Sequence, residues 1–243
     1  MSEQKLKNQI RSLTIALILV TVFFSALFMW FFVRSAKMNA DELTVKKINL
    51  IGEDGSLRMV LSNEARQNSG VIDGQQLPKR YRPAGMIFFD NDGNECGGLI
   101  FNQSNESGTI NKMMSFTMDN YRNDQVLQLI NDETYKNGSA RIRRGMAINE
   151  YPIGRNLLAY VDNLNKLNLI EDSVARKKAL DSLQQKDGAR RRVFIGRNNQ
   201  NESGIFLFDN NGNPRMQIFV DSTGTPQILS IDTSGKTRKM LNI

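Results

Sequence analysis

Between Ser12 and Val33 the chain reads SLTIALILVTVFFSALFMWFFV, 22 residues without a charge, a proline or a glycine. As a helix this run rises about 1.5 Å per residue and is about 33 Å long, close to the roughly 30 Å hydrocarbon thickness of a bilayer. Core helices of soluble proteins rarely stay apolar on every face for so long. Aromatic residues crowd the far end (Phe28, Trp30, Phe31, Phe32), and Trp30 suits an interfacial belt. The segment therefore predicts a transmembrane helix over 12–33, with a short basic head at 1–11 and a linker at 34–47. A cleaved signal peptide fits less well, because its apolar region is about 7–15 residues and ends in a small-x-small site. Cutting after Ala36 places Arg34 at the −3 position, and cutting after Ala40 places Met38 there. An uncleaved signal anchor is the expectation. Lys and Arg nearly tie on the two flanks, with Lys5, Lys7 and Arg11 before the span and Arg34, Lys37, Lys46 and Lys47 after it. Long domains translocate largely regardless of charge, so the large C-terminal domain is expected outside the cytoplasm, in a single-pass protein of the cell membrane.

Histidine is absent from the 243 residues and Cys96 is the single cysteine, which removes intramolecular disulfides and cysteine-cluster metal sites. It also removes the commonest general base and the commonest zinc ligand. Catalysis would have to rest on carboxylates, Lys or Tyr. No catalytic, cofactor or metal site is expected. The net charge of +7 favours contact with polyanions: phospholipid headgroups, cell-wall polymers or nucleic acid.

Beyond the linker one pattern recurs: an apolar run, an Asx-rich turn ending in Gly, and a second apolar run. Ile48–Asn63 reads INLIGEDGSLRMVLSN, Gly85–Asn102 reads GMIFFDNDGNECGGLIFN, and Gly204–Asp221 reads GIFLFDNNGNPRMQIFVD. Ile228–Leu241 closes the chain with ILSIDTSGKTRKML. Asp at the first position of a type I turn can accept from backbone two residues on, and Gly at the end takes a positive φ and forms the bulge that restores pairing. Asp90 with Gly93, Asp209 with Gly212 and Asp232 with Gly235 are the expected structural turns. Ser222-Thr223-Gly224 reads as a further copy that lacks the Asp. Less sharply bounded strands are expected at Met114–Met118, Gln125–Ile130 and Ala140–Ile148. Between Asn156 and Gln185 the apolar spacing changes to a helical period, through Leu157, Val161, Leu164 and Leu167 and then Ile170, Val174, Leu180 and Leu183. Glu171, Asp172 and Ser173 suit a second start, and Gly188 suits an end.

The expected fold is mainly β: an N-terminal transmembrane helix followed by an antiparallel β-hairpin and meander domain with an inserted two-helix segment. A first hairpin region covers 48–150, the helical insertion 151–190 and the C-terminal meander 191–243. The runs R-V-F-I-G-R (192–197), S-G-I-F-L-F-D-N-N-G-N-P-R (203–215) and V-D-S-T-G-T-P (220–226) resemble the C-terminal region of uncharacterised bacterial proteins with one N-terminal membrane span and a D-x-x-G-x-x-R hairpin pattern. The resemblance covers about the last fifty residues plus the anchor, and it implies fold and localisation only.

An EF-hand reading of Asp90–Asn94 fails in register: Gly93 at loop position 6 puts Phe88 at position 1 and Leu99 at position 12. Asp209–Gly212 fails the same way through Leu207. Three basic clusters are candidates for anion binding through guanidinium forks, namely Arg80 and Arg82, then Arg141, Arg143 and Arg144, then Arg190, Arg191 and Arg192. A solvated face is the plainer account of each. Nucleic acid is disfavoured as a partner, since no recognised binding motif accompanies the charge. Four N-x-S/T sites (Asn102, Asn105, Asn137, Asn201) would matter only in a eukaryotic secretory pathway. The expected function is a membrane-anchored, non-enzymatic envelope protein whose β domain binds a partner protein or an anionic polymer. The alternatives are a carboxylate-based hydrolase or transferase of the envelope and a cytoplasm-facing scaffold.

Overall fold

The structure, a computed structural model, describes residues 3–35 and 40–240. Residues 1–2 of the expected head, 36–39 of the linker and 241–243 of the meander lie outside the described residues. The chain divides into two compact units, 1–45 and 46–243.

The first unit contains one helix among its described residues, α1 (Glu3–Ser35). It takes in the described part of the basic head, where Lys7 pairs with Glu3 at 3.2 Å. Thr14 and Thr21 donate their hydroxyls to the carbonyls of Ile10 and Leu17, which hides their polarity along the helix. The helix over Glu3–Phe31 is long and apolar enough to cross a membrane.

The second unit is an antiparallel sheet of twelve strands with two accessories. The strands in chain order are β1 (Lys47–Ile51), β2 (Leu57–Ser62), β3 (Val71–Ile72), β4 (Gln75–Gln76), β5 (Ala84–Phe89), β6 (Glu95–Glu106), β7 (Thr109–Asp119), β8 (Gln125–Lys136) and β9 (Ser139–Glu150). After helices α2 (Leu157–Asn168) and α3 (Ser173–Asp187) come β10 (Arg190–Arg197), β11 (Ser203–Phe208), β12 (Pro214–Val220), β13 (Pro226–Ile231) and β14 (Thr237–Lys239). All but β3 and β4 join the large sheet, and each strand in it pairs with the next of the sheet's own strands along the chain, β2 pairing with β5 across the β3–β4 hairpin. The domain is therefore mainly β, a continuous meander with an inserted helix pair.

One turn design closes most of the hairpins. At Asp209 the backbone N–H donates to the carbonyl of Asn213 and the backbone carbonyl accepts the N–H of Gly212, while Oδ1 takes the N–H groups of Asn211 and Asn213 at 2.8 and 2.9 Å. Gly212 sits at φ +83°, where a side chain is strained. Asp90 with Gly93 and Asp232 with Gly235 repeat this arrangement. The turn at Ser222-Thr223-Gly224 corrects the sequence reading: its first residue is Asp221, whose Oδ1 accepts from Thr223 and Thr225. A further copy at Asn198–Glu202 uses Asn198 for the Asp and Asn201, at φ +63°, for the Gly. Val174, expected on the packed face of the helix pair, is exposed.

Successive residues of a strand point to opposite faces, so the register defines two faces. The covered face holds both hydrophobic clusters. Val60, Ile87 and Phe89 form one, with Val71 of the small β3–β4 hairpin packed against it. Ile130, Ala147, Phe194, Phe206 and Phe219 form the other, with the phenyl rings of Phe194, Phe206 and Phe219 spaced 5.9 and 5.7 Å apart. Gly145, Gly196 and Gly204 stand side by side on β9, β10 and β11. A Cβ on Gly196 would fall 2.1 Å from the Arg144 carbonyl oxygen, and one on Gly204 would fall 2.1 Å from that of Ile218. Only glycine allows so close an approach of the neighbouring strand's backbone. The helix pair starts at Asn156, whose side chain caps α2, and Asp172 caps α3 in the same way. Arg155 lies between the rings of Tyr151 and Tyr160, 4.4 and 4.2 Å from their centroids, which ties the insertion to the end of β9.

Candidate functional site

The three basic clusters do not converge on one site. Arg82 grips Glu95 with two bonds of 2.7 Å, both side chains largely buried, and Arg80 points its Nε at the Ser69 carbonyl. Arg143 pairs with Asp132, and Arg144 with Glu133 and Asn131. Arg192 pairs with Glu150, Arg190 bonds the Gln185 carbonyl, and Arg141 is exposed near the tip of the β8–β9 hairpin. Arg191 lies over the ring of Phe194 at 5.7 Å, and burial, then the charge of Arg143, pulls its pKa down. Arg143 and Arg191 do share one hollow, which Asn198, Gln200 and Glu202 complete. The carboxylates at 95, 132, 133 and 150 thus already take up much of the guanidinium capacity that an anion would need.

The turn residues are structural. Asp209 also accepts Arg215, and its pKa lies well below the usual carboxylate range, first because of the backbone bond from Asn213. Among the described residues no group of three or more His, Cys, Asp or Glu side chains is placed to hold a metal ion.

Two features were not legible as sites in the sequence. The first is a cleft of about 560 Å³ on the covered face, between the β4–β5 connection, the end of β7 and α2. Ile72, Leu77, Leu157 and Val161 supply apolar walls, and Glu95, Asp119 and Asp124 supply carboxylates. The Oδ1 of Asp119 is buried without a hydrogen-bond partner. Burial, and then the charges of Glu95 and Asp124, push its pKa up to about 7, with Arg82 opposing. A carboxyl that changes charge near neutral pH can hold or release a proton there.

The second feature is the other face of the sheet. One row of directly paired residues crosses eleven strands: Ile48, Leu61, Met86, Leu99, Phe116, Leu129, Met146, Ile195, Ile205, Ile218 and Ile228. Every one is apolar. The next row on this face runs from Leu50 to Met216 and is apolar or glycine at each step. Among the described residues of the sheet unit nothing covers these rows: Leu50 is 54% exposed, Leu129 48%, Ile195 41% and Ile218 41%. Ordinary surfaces scatter single apolar residues, whereas a contiguous apolar band marks a place where something else sits.

Compared with protein-family models, curated proteins and solved structures, the chain finds no match.

Proposed function

We propose that this is a membrane-anchored, non-enzymatic envelope protein whose β domain is a protein-binding module, and that it binds through the open apolar face. The observation that carries the reading is the unbroken apolar row from Ile48 to Ile228. A protein partner is favoured over an anionic polymer because a polymer would need free guanidinium groups. Arg82, Arg143, Arg144 and Arg192 are instead engaged by carboxylates of the same domain. The apolar helix α1 supports a single-pass anchor, and the length of the domain beyond it supports an extracytoplasmic location.

The test uses the full-length protein in its native membrane. Carbonate should fail to extract it, and protease added to spheroplasts should remove the domain. Solubilised gently, the parent should migrate as a complex that a Leu129→Arg, Ile205→Arg variant does not form. A parent that emerges alone as a monomer would sink the binding reading, and intact protein after protease would reverse the sidedness. A second reading, a carboxylate-based hydrolase or transferase, draws on Glu95 and Asp119 sharing one cleft. It requires an activity on envelope material that Asp119→Asn abolishes while the domain stays folded.

A further inference from the structure

We propose that the open face is covered by a second copy of the chain, packed face to face as a two-sheet sandwich on a two-fold axis near Leu129, a step that rests on the binding reading above.

The strand sequences already carry the sign of a second cover. An antiparallel sheet with one solvated face alternates apolar and polar residues, and a strand buried on both faces reads as a continuous apolar run. Here β5 contains Met86-Ile87-Phe88-Phe89 and β11 contains Ile205-Phe206-Leu207-Phe208. Ile87 and Phe206 serve the covered face; Met86, Phe88, Ile205 and Leu207 serve the open one. Among the described residues of the sheet unit only half of this apolar content is used.

Size points to a stable partner. Eleven strands about 4.8 Å apart span roughly 50 Å, and two rows of side chains about 6.8 Å apart add roughly 13 Å, so the band measures about 700 Å². The largest apolar patch on a typical monomer is about 300–600 Å², and a stable complex buries about 800 Å² on each partner. Phe101, Met114 and Val220, exposed on the same face beside the main row, enlarge the band locally, while Asn131, Arg144, Arg197 and Ser203 between them give that row a polar rim.

Chemistry and outline point to a second copy in particular. From Ile48 to Ile228 and from Leu50 to Met216 the two rows contain no charged residue, the mark of homodimer cores rather than of transient contacts. They also contain no Trp, Tyr, Lys or Arg, the residues by which a surface settles on lipid headgroups. A band roughly 50 Å long and 13 Å wide needs a partner of the same outline, and an identical sheet supplies it; two such sheets pack about 10 Å apart with strands aligned to within about 30°. A two-fold axis in the plane between the sheets and through the middle of the band brings the sixth residue of the row, Leu129, next to its own copy whichever way the axis runs. Anchoring in one membrane would raise the effective concentration of the two copies further.

The test is cross-linking of the full chain in native membranes. With Cys96→Ser as background, Leu129→Cys and the control Ser139→Cys, at the exposed tip of the β8–β9 hairpin, are treated with a short bifunctional maleimide. Leu129→Cys should give a product of twice the chain mass, at least tenfold more of it than Ser139→Cys. A Leu129→Cys chain that stays single but couples to a different protein overturns the second copy and leaves the binding reading standing. A residue 129 that a membrane-impermeant maleimide labels freely overturns both, and so does one protected by lipid alone and labelled only after detergent, with no protein adduct. As an independent measurement, sedimentation of the parent should give two chains per particle. Leu129→Arg with Ile205→Arg should raise the dissociation constant at least tenfold with the strand circular-dichroism signal unchanged. A parent that sediments as one chain at every concentration overturns the proposal.

Discussion

Asp119→Asn isolates a titration near neutral pH whose size follows from the structure. Burial, and then Glu95 and Asp124, raise the Asp119 carboxyl from 3.8 to about 7, while Arg82 pulls the other way. A raised folded-state pKa means that the folded chain holds this proton more tightly than the unfolded chain does. The group's stabilisation is therefore whole below about pH 4, declines as pH rises, and is gone above about pH 7. The shift is about three units at about 1.4 kcal/mol per unit, or about 4 kcal/mol between the two plateaus. Asparagine cannot ionise and has nearly the shape of the protonated acid. The variant should match the parent near pH 4 and exceed it by a margin that grows to about 4 kcal/mol at pH 8. Denaturant unfolding of the domain beginning at Asp41, at fixed protein concentration and half-unit pH steps, reads this directly, because titrations remote from Asp119 cancel in the difference. Parallel pH curves for parent and variant would refute the reasoning, since they would mean that Asp119 ionises in the folded domain as easily as in water.

Other substitutions probe different parts of the frame. Gly212→Val and Gly235→Val place a β-branched side chain at φ +83° and +84° and should each cost about 1–2 kcal/mol or more in denaturant melts. Asp209→Ala removes an acceptor of two backbone N–H groups and of Arg215, so it should lower the melting midpoint. Because the Asp209 pKa is depressed, its contribution is present above the ordinary carboxylate range and lost as pH falls through the folded value; the parent and this variant should therefore converge in acid. Arg82→Met strands the largely buried Glu95 beside Asp119 and should cost about 3–5 kcal/mol at neutral pH, less as Glu95 is protonated; equal stability across pH would remove the ion pair from the frame.

What the sequence reveals and what it hides follow from how far apart the cooperating residues lie. Asp209 and Gly212 announce a turn because all its bonds close within five residues. The same turn at Asn198–Glu202 escapes notice because Asn replaces both signal residues, although Asn also accepts backbone N–H groups and tolerates positive φ. Asn137-Gly138, at φ +48° and +77°, is a two-residue hairpin signal that the chain does carry, and it sets the long β8–β9 pair. Asp119 carries no local mark. Its environment comes from Glu95 and Arg82, 24 and 37 residues away in the chain, and is assembled only when the β4–β5 connection folds across the sheet.

The open face lies between these extremes. Each of its residues sits in an apolar run that marks a strand, yet no single strand shows that its outward residues line up with those of ten others. That alignment depends on the bulges that the turns introduce: the register shifts by one between Leu50 and Ile51, between Phe88 and Phe89, between Met118 and Asp119 and between Leu207 and Phe208. One residue of slip at any of them would exchange the two faces for every strand beyond it. Keeping Leu61, Leu129 and Ile218 on one side therefore requires the Asx-Gly turns to be placed correctly along the whole meander. The turn residues, which hold no ligand themselves, are what keep the apolar band continuous enough to meet a partner.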